Sequence, residues 1–489
     1  MRRAFAGDGK LSGATDGFRR GALVAAPGVL LGWAVVRGRP WTELAAVLVM
    51  LFVAAVMTPH RWITRLRHGG LLIELPVLLL LFDVYYSRPR SAQSLAENPL
   101  DATGLIKVAA VAVALVIGCV AYATCRTPTR PFPAAFRLFG LYAAAVFLGI
   151  SASVDPRLTA YRGLELAAGV AVVSAAYRRY GREAVKRIER LLYGATAVLL
   201  VLVWLDVLLV PSRALANASA SPLRWQIQGV YPPIASNGVG TLGLVLALWS
   251  LARLLARSAG DRMNRTATAL LAALGVATLV AAQYRTGYVA FAFGLAVLLA
   301  VRGRALLAVA AVGAAAVFAF SSAGSVVGRS EPFLLRGQTT AQAAQLSGRF
   351  YLWHHALPFW RASPVFGRGL LTSTRLEVLP SIGYPDTATI HGTWIEALVG
   401  TGVVGTALLA ASVLVLLQQA LSVALRDGRV IPVVLVVAML VRSTTGSSVE
   451  SLGLGALLLL VLALDTQAEP EATVAEPEAT VAEPKWASA

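Results

Sequence analysis

Charged residues are scarce in this sequence. Only 14% of its 489 residues are Asp, Glu, Lys or Arg, 57% are hydrophobic, and the mean hydropathy is +0.69. A soluble globular domain carries roughly 25% charged residues, so the composition excludes that class. Apolar runs such as 194–210 and 403–417 recur along the chain, and about 20 apolar residues form a helix that crosses a bilayer. The composition therefore predicts an all-α polytopic integral membrane protein.

Lysine is almost absent, so the formal net charge of +18 rests on arginine. The arginines form short clusters between apolar runs rather than one basic domain, which argues against nucleic-acid binding. Clusters around 61–67, 178–190 and 253–265 follow alternate apolar runs. Cytoplasmic loops carry such an excess of basic residues. We therefore predict a multi-pass protein of the cell (cytoplasmic) membrane, with both termini in the cytoplasm.

The apolar runs predict about 12–14 transmembrane helices, with one large extracytoplasmic loop that contains an amphipathic helix. Candidate spans are 21–36, 42–58, 70–86, 104–125, 134–150, 158–177, 191–210, 237–254, 267–284, 286–301, 305–321, 391–418, 430–441 and 449–464.

These runs divide the chain into five predicted parts. They are a cytoplasmic tail (1–20), a first set of membrane helices (21–321), a large extracytoplasmic loop (322–390), C-terminal membrane helices (391–464) and a cytoplasmic acidic tail (465–489). Proline in every repeat of the acidic tail excludes a coiled coil and predicts disorder. A long polar loop of the kind at 322–390 is usually functional. Within that loop, the aromatic and apolar residues of 348–361 have helical spacing and predict an amphipathic helix at the outer headgroup layer.

Cysteine and histidine are also rare. The two cysteines lie six residues apart in one apolar run, so neither a disulfide nor a metal site is indicated. The sequence has no phosphate-binding glycine loop, no H-E-x-x-H and no G-x-S-x-G elbow. These absences argue against ATP-driven transport within this chain, and we predict neither a metal nor a cofactor.

His391 is the first candidate for chemistry. It opens an apolar helix in HGTWIEALVGTGVVG and is placed at the boundary between membrane and water. A neutral histidine there can act as a general base or position an acceptor. The alternative is a boundary histidine that only anchors the helix, and the residue alone does not separate the two. His354 and His355 are interpreted as interfacial residues.

Arg285 is the second candidate, because it stands between two apolar segments with no acidic neighbour in sequence. An ionisable residue at membrane depth is costly and is by default a functional candidate. Its planar guanidinium can bind a phosphate with two hydrogen bonds. The alternatives are snorkelling to the interface, or pairing with Asp206 or Glu450. Further cations on the predicted outer side together suit a polyanionic ligand; they are Arg224, Arg336, Arg349, Arg361, Arg368 and Arg375.

Four segments resemble the O-antigen ligase and polymerase superfamily. In the first segment Asn237 opens a helix, and in the second Arg285 starts another. The third segment has an R-x-x-x-W pattern followed by P-x-x-G-x-G. In the fourth, His391 leads a helix with two later glycines. These segments are GVYPPIASNGVG (229–240), QYRTG (283–287), SGRFYLWHHALPFWRASPVFGRG (347–369) and HGTWIEALVGTGVVG (391–405). Their order around one large outer loop covers about residues 220–420. Over the first 200 residues the resemblance is one of hydropathy alone.

The resemblance implies transfer of a glycan from a polyprenyl-diphosphate-linked donor to an acceptor on the outer face, with inversion and without metal or nucleotide sugar. Arg285, with Arg349 or Arg224, would offset the charge of the diphosphate leaving group. His391 would orient or deprotonate the acceptor hydroxyl. Asn237, Trp353 and Trp394 are the further residues expected to contact the substrate.

The acceptor could be a lipid, a protein, another glycan or the cell wall, and the sequence does not separate a ligase from a polymerase. The rival interpretation is a secondary transporter or exporter of a small solute or a lipid-linked glycan. A transporter is expected to show internal repeats and broken helices near the membrane midplane. The candidate residues lie instead at one predicted face, which favours chemistry at the membrane surface.

Overall fold

The computed structural model describes most of the chain between residues 71 and 467. The described residues are 71–86, 97, 101–125, 131–217, 225–255, 265–304, 306–310, 349–384, 387 and 389–467. They are helical apart from two short hairpins, which confirms the predicted all-α class. Several predicted segments lie outside them: the tail 1–20, the helices at 21–36 and 42–58, residues 311–348 and the acidic tail beyond 467.

The helices follow the apolar runs of the sequence. They are α1 (Leu71–Tyr85), α2 (Ala102–Ala123), α3 (Ala134–Leu148), α4 (Pro156–Tyr180), α5 (Arg182–Leu209), α6 (Pro211–Ala214), α7 (Ser236–Leu255), α8 (Arg265–Ala281), α9 (Arg285–Val301), α10 (Arg349–Ala362), α11 (Leu379–Ser381), α12 (Thr393–Asp427), α13 (Ile431–Ser443) and α14 (Leu454–Asp465). A 3₁₀ turn at Gly149–Ala152 follows α3, and a π-helical turn at Thr374–Val378 precedes α11.

Five of these helices are long and apolar enough to cross a membrane: α2, α3 with its 3₁₀ turn, α5, α7 and α12. The helices α8, α9, α13 and α14 are apolar but shorter. Local signals set some of the helix starts. The Asp101 carboxylate accepts a hydrogen bond from the Gly104 amide at 2.7 Å, and Asp155 caps α4 ahead of a proline in its first turn.

Glycines let neighbouring helices approach closely, as expected in a membrane. A Cβ at Gly243 of α7 would lie 2.8 Å from the Gly275 carbonyl oxygen of α8, and one at Gly275 would lie 2.5 Å from the Ala247 nitrogen. Gly118 of α2 packs in the same way on the backbone of α4. These contacts hold α7 on α8 and α2 on α4.

Two antiparallel hairpins lie between α6 and α7. Strand β1 (Leu215–Asn217) pairs with β2 (Trp225–Ile227), and β3 (Gly229–Val230) pairs with β4 (Pro233–Ile234). The buried Asp206 near the end of α5 accepts hydrogen bonds from the amides of Val230 and Tyr231 at 2.8 and 3.0 Å. The Asp206 carboxylate therefore fixes the β3–β4 hairpin to the helix bundle.

Helix α12 is broken at Gly402, where φ is +65° and ψ is −166°. The break pairs with the loop 364–369: the Arg368 and Gly369 amides donate to the carbonyls of Val399 and Gly400, and the Val403 amide donates to that of Pro364. Only glycine fits, because a Cβ at Gly402 would lie 2.3 Å from the Val365 carbonyl oxygen. Gly400 and Gly402 of the HGTWIEALVGTGVVG segment thus pack against the P-x-x-G-x-G loop.

Candidate functional site

The starts of α7, α9 and α12, the end of α13 and the helix α10 meet at one end of the bundle. Helix α10 rests on this end through one apolar face. Leu352, Trp353, Phe359 and Trp360 pack with Ala356 against a buried cluster formed by Val378, Leu379, Ile390 and Val399. The indole N–H of Trp353 donates to the Ile390 carbonyl at 3.1 Å. The predicted helix at 348–361 is therefore present as α10, with its apolar face against protein.

His391 has a left-handed backbone conformation, with φ +54°. A residue with a side chain adopts this conformation rarely, and it persists only where the surroundings hold it. Trp353 holds the Ile390 carbonyl on one side. On the other side the amide of Thr393 donates to the Gly446 carbonyl at 3.2 Å. A Cβ at the intervening Gly392 would lie 2.9 Å from the Trp353 indole nitrogen, so glycine is required between these two anchors.

The loop 444–450 supports the same segment through Glu450, which is fully buried. The Oε2 atom of Glu450 accepts hydrogen bonds from the Thr393 hydroxyl at 2.7 Å and from the amides of Ser448 and Val449 at 2.8 and 3.0 Å. These amide bonds keep the backbone out of a helix here. For that reason α14 begins at Leu454, although the apolar pattern predicts a span from 449.

Arg349 and Arg442 lie close enough to His391 to act on it electrostatically. Burial, followed by the charges of these two arginines, lowers the pKa of His391 to about 4. Burial and the like charge of Arg442 also lower the pKa of Arg349. The imidazole is therefore neutral at pH 7 and can accept a proton, and its Nδ1 lies 3.3 Å from the Thr389 hydroxyl.

Arg442 is connected to the start of α7. Its Nε–H donates to the Thr241 hydroxyl oxygen at 2.8 Å, and that hydroxyl donates to the Asn237 carbonyl, also at 2.8 Å. The half-buried Asn237 therefore lies one turn of α7 from the residue that orients Arg442.

Arg285 opens α9 and is half-buried. Both of its neighbours contact the site. The Thr286 and Thr445 hydroxyls are 2.7 Å apart, and the buried Tyr284 ring lies where a Cβ at Gly240 or Gly287 would stand. A Cβ at Gly446 would lie 3.1 Å from the Tyr284 hydroxyl. Gly240 of the GVYPPIASNGVG segment and Gly287 of the QYRTG segment thus leave space for the Tyr284 ring beside the loop 444–450.

Residues 267–410 match the family model for the O-antigen ligase domain. The matched stretch of 144 residues is similar to that domain and makes up less than a third of the chain. The match confirms the resemblance to the O-antigen ligase and polymerase superfamily and assigns the chain to glycan transfer of that general type. No curated protein matches the chain.

The matched region runs from α8 into α12 and includes Arg285, Arg349 and His391. Trp353 lies in α10, and the half-buried Trp394 lies in the first turn of α12 and packs on the main core of the bundle. These two tryptophans belong to separate apolar clusters, since Trp353 packs in the small cluster under α10.

The other residues predicted on the outer side make no described contact with His391, Arg349 or Arg442. Arg368 forms an ion pair with Glu377, with Nη2 2.6 Å from Oε1, and Arg361 is exposed. His354 is exposed, and His355 lies 2.8 Å from the carbonyl of Tyr351. Arg224 and Arg336 lie outside the described residues.

Sequence reasoning missed Arg442, Thr241 and Tyr284, and it named Glu450 only as an alternative partner of Arg285. One signal for Arg442 was available: it is the sole Asp, Glu, Lys or Arg between Arg429 and Glu450. That is the same pattern that singled out Arg285. Thr241, Tyr284 and the carboxylate of Glu450 have no such signature, because their roles depend on helices that are distant in sequence.

Proposed function

We propose that this protein transfers a glycan from a polyprenyl-diphosphate-linked donor to an acceptor hydroxyl at the extracytoplasmic face of the cell (cytoplasmic) membrane. The acceptor belongs to a lipid, a protein, a glycan or the cell wall. The positively charged side chains take the part that a divalent metal has in other glycosyltransferases, so no metal or other cofactor is required. Ligase and polymerase activities share this chemistry and differ in the acceptor.

One arrangement carries the proposal: Arg349 at the start of α10 and Arg442 at the end of α13 are both half-buried and lie at the same end of the bundle as His391. In the described part of the chain, neither Arg349 nor Arg442 forms an ion pair with a carboxylate. Placing like charges together in partly dehydrated surroundings is costly unless an anion offsets them. A diphosphate is such an anion, and the guanidinium geometry suits its oxygens.

The reaction is an in-line displacement at the anomeric carbon. The acceptor oxygen forms a bond to that carbon while the bond from the carbon to the diphosphate oxygen breaks, and the leaving diphosphate keeps the electron pair. His391 accepts the proton of the acceptor hydroxyl. The arginines stabilise the negative charge that develops on the diphosphate. Attack opposite to the leaving group inverts the anomeric configuration.

Arg285 is assigned to the diphosphate beside Arg349, because Tyr284 and Thr286 place it next to the loop 444–450. Arg224 is proposed as an additional cation. Asn237, Trp353 and Trp394 are assigned to the glycan side of the site. Hydrogen bonding of Trp353 to Ile390 restricts its role to contact through the ring face, since its N–H is already used.

The test compares Arg285→Lys and His391→Ala in a reconstituted assay with purified lipid-linked glycan, which measures donor binding and product separately. Arg285→Lys keeps a charge but loses the two-point contact with phosphate, so transfer should fall at least tenfold together with donor affinity. His391→Ala should abolish transfer and leave donor affinity nearly unchanged. His354→Ala and Arg361→Lys are matched controls, because both side chains are exposed.

Three outcomes decide the proposal. Full turnover by both variants would remove the proposed site. Equal loss of donor affinity in both would overturn the division of roles between Arg285 and His391. Uptake of a solute into vesicles without any glycan product would favour the transporter interpretation instead.

A further inference from the structure

Arg442 lies outside the matched O-antigen ligase domain, at the end of α13. Its aliphatic stem passes Gly446, where a Cβ would stand 3.8 Å from Arg442 Cγ. The Gly446 carbonyl accepts hydrogen bonds from Thr393, two residues after His391. The side chain is therefore built into the loop that positions the proposed base.

The orientation of Arg442 is fixed from a second helix. Its Nε–H is directed to Thr241 of α7, whose hydroxyl is in turn anchored on the Asn237 carbonyl. Within the described ranges, no residue accepts a hydrogen bond from Nη1 or Nη2 of Arg442. Nη1 and Nη2 are therefore available to contact a ligand, while the hydrogen bond of Nε to Thr241 sets the plane of the guanidinium.

Several other arginines of the described chain are paired with carboxylates. Arg162 donates to both carboxylate oxygens of Glu165 at 2.9 Å, Arg429 forms an ion pair with Asp465, and Arg368 forms one with Glu377. Arg442 instead has no carboxylate partner among the described residues, and it lies close enough to Arg349, a second cation, to lower the pKa of that residue. A purely structural arginine is expected to follow the first pattern, because a carboxylate partner offsets the cost of removing its charge from water.

We propose that Arg442 is a substrate-binding residue, which binds one phosphoryl group of the donor diphosphate with Nη1 and Nη2 while Arg349 binds from the side of α10. This inference rests on the proposed function and adds a residue from outside the matched domain. Thr241 is a positioning residue, since it acts through Arg442. The donor diphosphate would then lie between α10 and α13, with His391 beside it.

The experiment uses the purified full chain in lipid nanodiscs, with polyprenyl diphosphate and polyprenyl monophosphate as competitors of donor binding. Arg442→Gln should weaken the affinity for polyprenyl diphosphate at least tenfold, because it removes a two-point charged contact. The affinity for the monophosphate should change less, since one phosphoryl group can stay on Arg349. Arg442→Lys should recover part of the loss.

Thr241→Val keeps the charge and removes the hydrogen bond that orients it, so it should give a smaller loss of diphosphate affinity than Arg442→Gln. Arg426→Gln is the matched control, because it also removes one positive charge from this region of sequence but from an exposed position at the end of α12. Arg426→Gln should bind both competitors as the unmodified chain does. Thermal unfolding of each variant checks that the fold is retained, and Arg442→Lys carries the test if Arg442→Gln does not fold.

The outcomes separate this inference from the proposed function. Unchanged diphosphate affinity in Arg442→Gln, with a loss in Arg349→Gln, would overturn the role of Arg442 and leave the proposed function standing. Equal weakening of the monophosphate and the diphosphate would also contradict the assignment to a second phosphoryl group. Absence of donor binding and glycan transfer in the unmodified chain would overturn the proposed function itself.

Discussion

At the scale of single residues, the electrostatics of His391 predict the pH dependence of the reaction. Burial and the two arginines hold its pKa near about 4, below the ordinary value of 6.5. A base acts in its neutral form, so kcat/KM should stay level as the pH falls from 7 to about 5 and should decline only near pH 4. The measurement is the initial rate of transfer at limiting donor over that pH range.

Arg442→Gln provides the comparison for this pH profile. Removing one of the two nearby charges raises the pKa of His391. The pH at which kcat/KM declines on the acid side, called the acid limb, should therefore move from about 4 towards 6.5. A merely structural loss would lower the rate at every pH without moving the limb. A decline of the rate near pH 6.5 in the unmodified chain would show that neither burial nor the two arginines lower the pKa of His391.

At the scale of elements, the break in α12 predicts a difference between two glycines that share a positive φ but differ in ψ, which is −166° at Gly402 and +14° at Gly428. Gly402 and Gly428 have φ values of +65° and +67°. A Cβ added at Gly402 would clash with the backbone of Val365, whereas one added at Gly428 would have no atom within 4 Å. Gly428→Ala should cost only the backbone strain, about 1–2 kcal/mol. Gly402→Ala adds a clash of about 1–3 kcal/mol and should also reduce transfer.

Thermal unfolding in detergent measures both glycine variants. The expected order of midpoints is the unmodified chain, then Gly428→Ala, then Gly402→Ala. Equal losses in the two variants would mean that the loop 364–369 does not depend on the break in α12.

At the scale of the whole molecule, α5 predicts the topology. Its 28 residues span about 42 Å, which exceeds the hydrocarbon thickness of a bilayer. Arg182 at its start and Asn217 beyond its end must then lie on opposite sides. Cysteines placed at these positions, in a chain with Cys119 and Cys125 replaced by alanine, should react with an impermeant reagent at 217 only. Labelling at 182 from outside would reverse the predicted orientation.

The sequence alone determined the class of the fold, because apolar runs report on burial in a bilayer wherever the chain places them. The observed bounds of α7 and α9 differ from the predicted ones by one residue at most. Arg285 and His391 could also be proposed from the sequence, since a polar residue beside an apolar run is visible without any tertiary information. Arg349 was already among the predicted outer-side cations, and the resemblance supplied the chemistry expected of them.

Only the tertiary structure brought Arg442 to this site. Arg442 and Thr241 are 201 positions apart, and Thr393 is 57 positions from Glu450. Hydropathy gives the length of each helix but not which helix ends meet, because side-chain hydrogen bonds and the close approach of glycines decide that. The left-handed conformation of His391 arises in the same way, from Trp353 on α10 and the loop 444–450, which hold its neighbours from opposite sides.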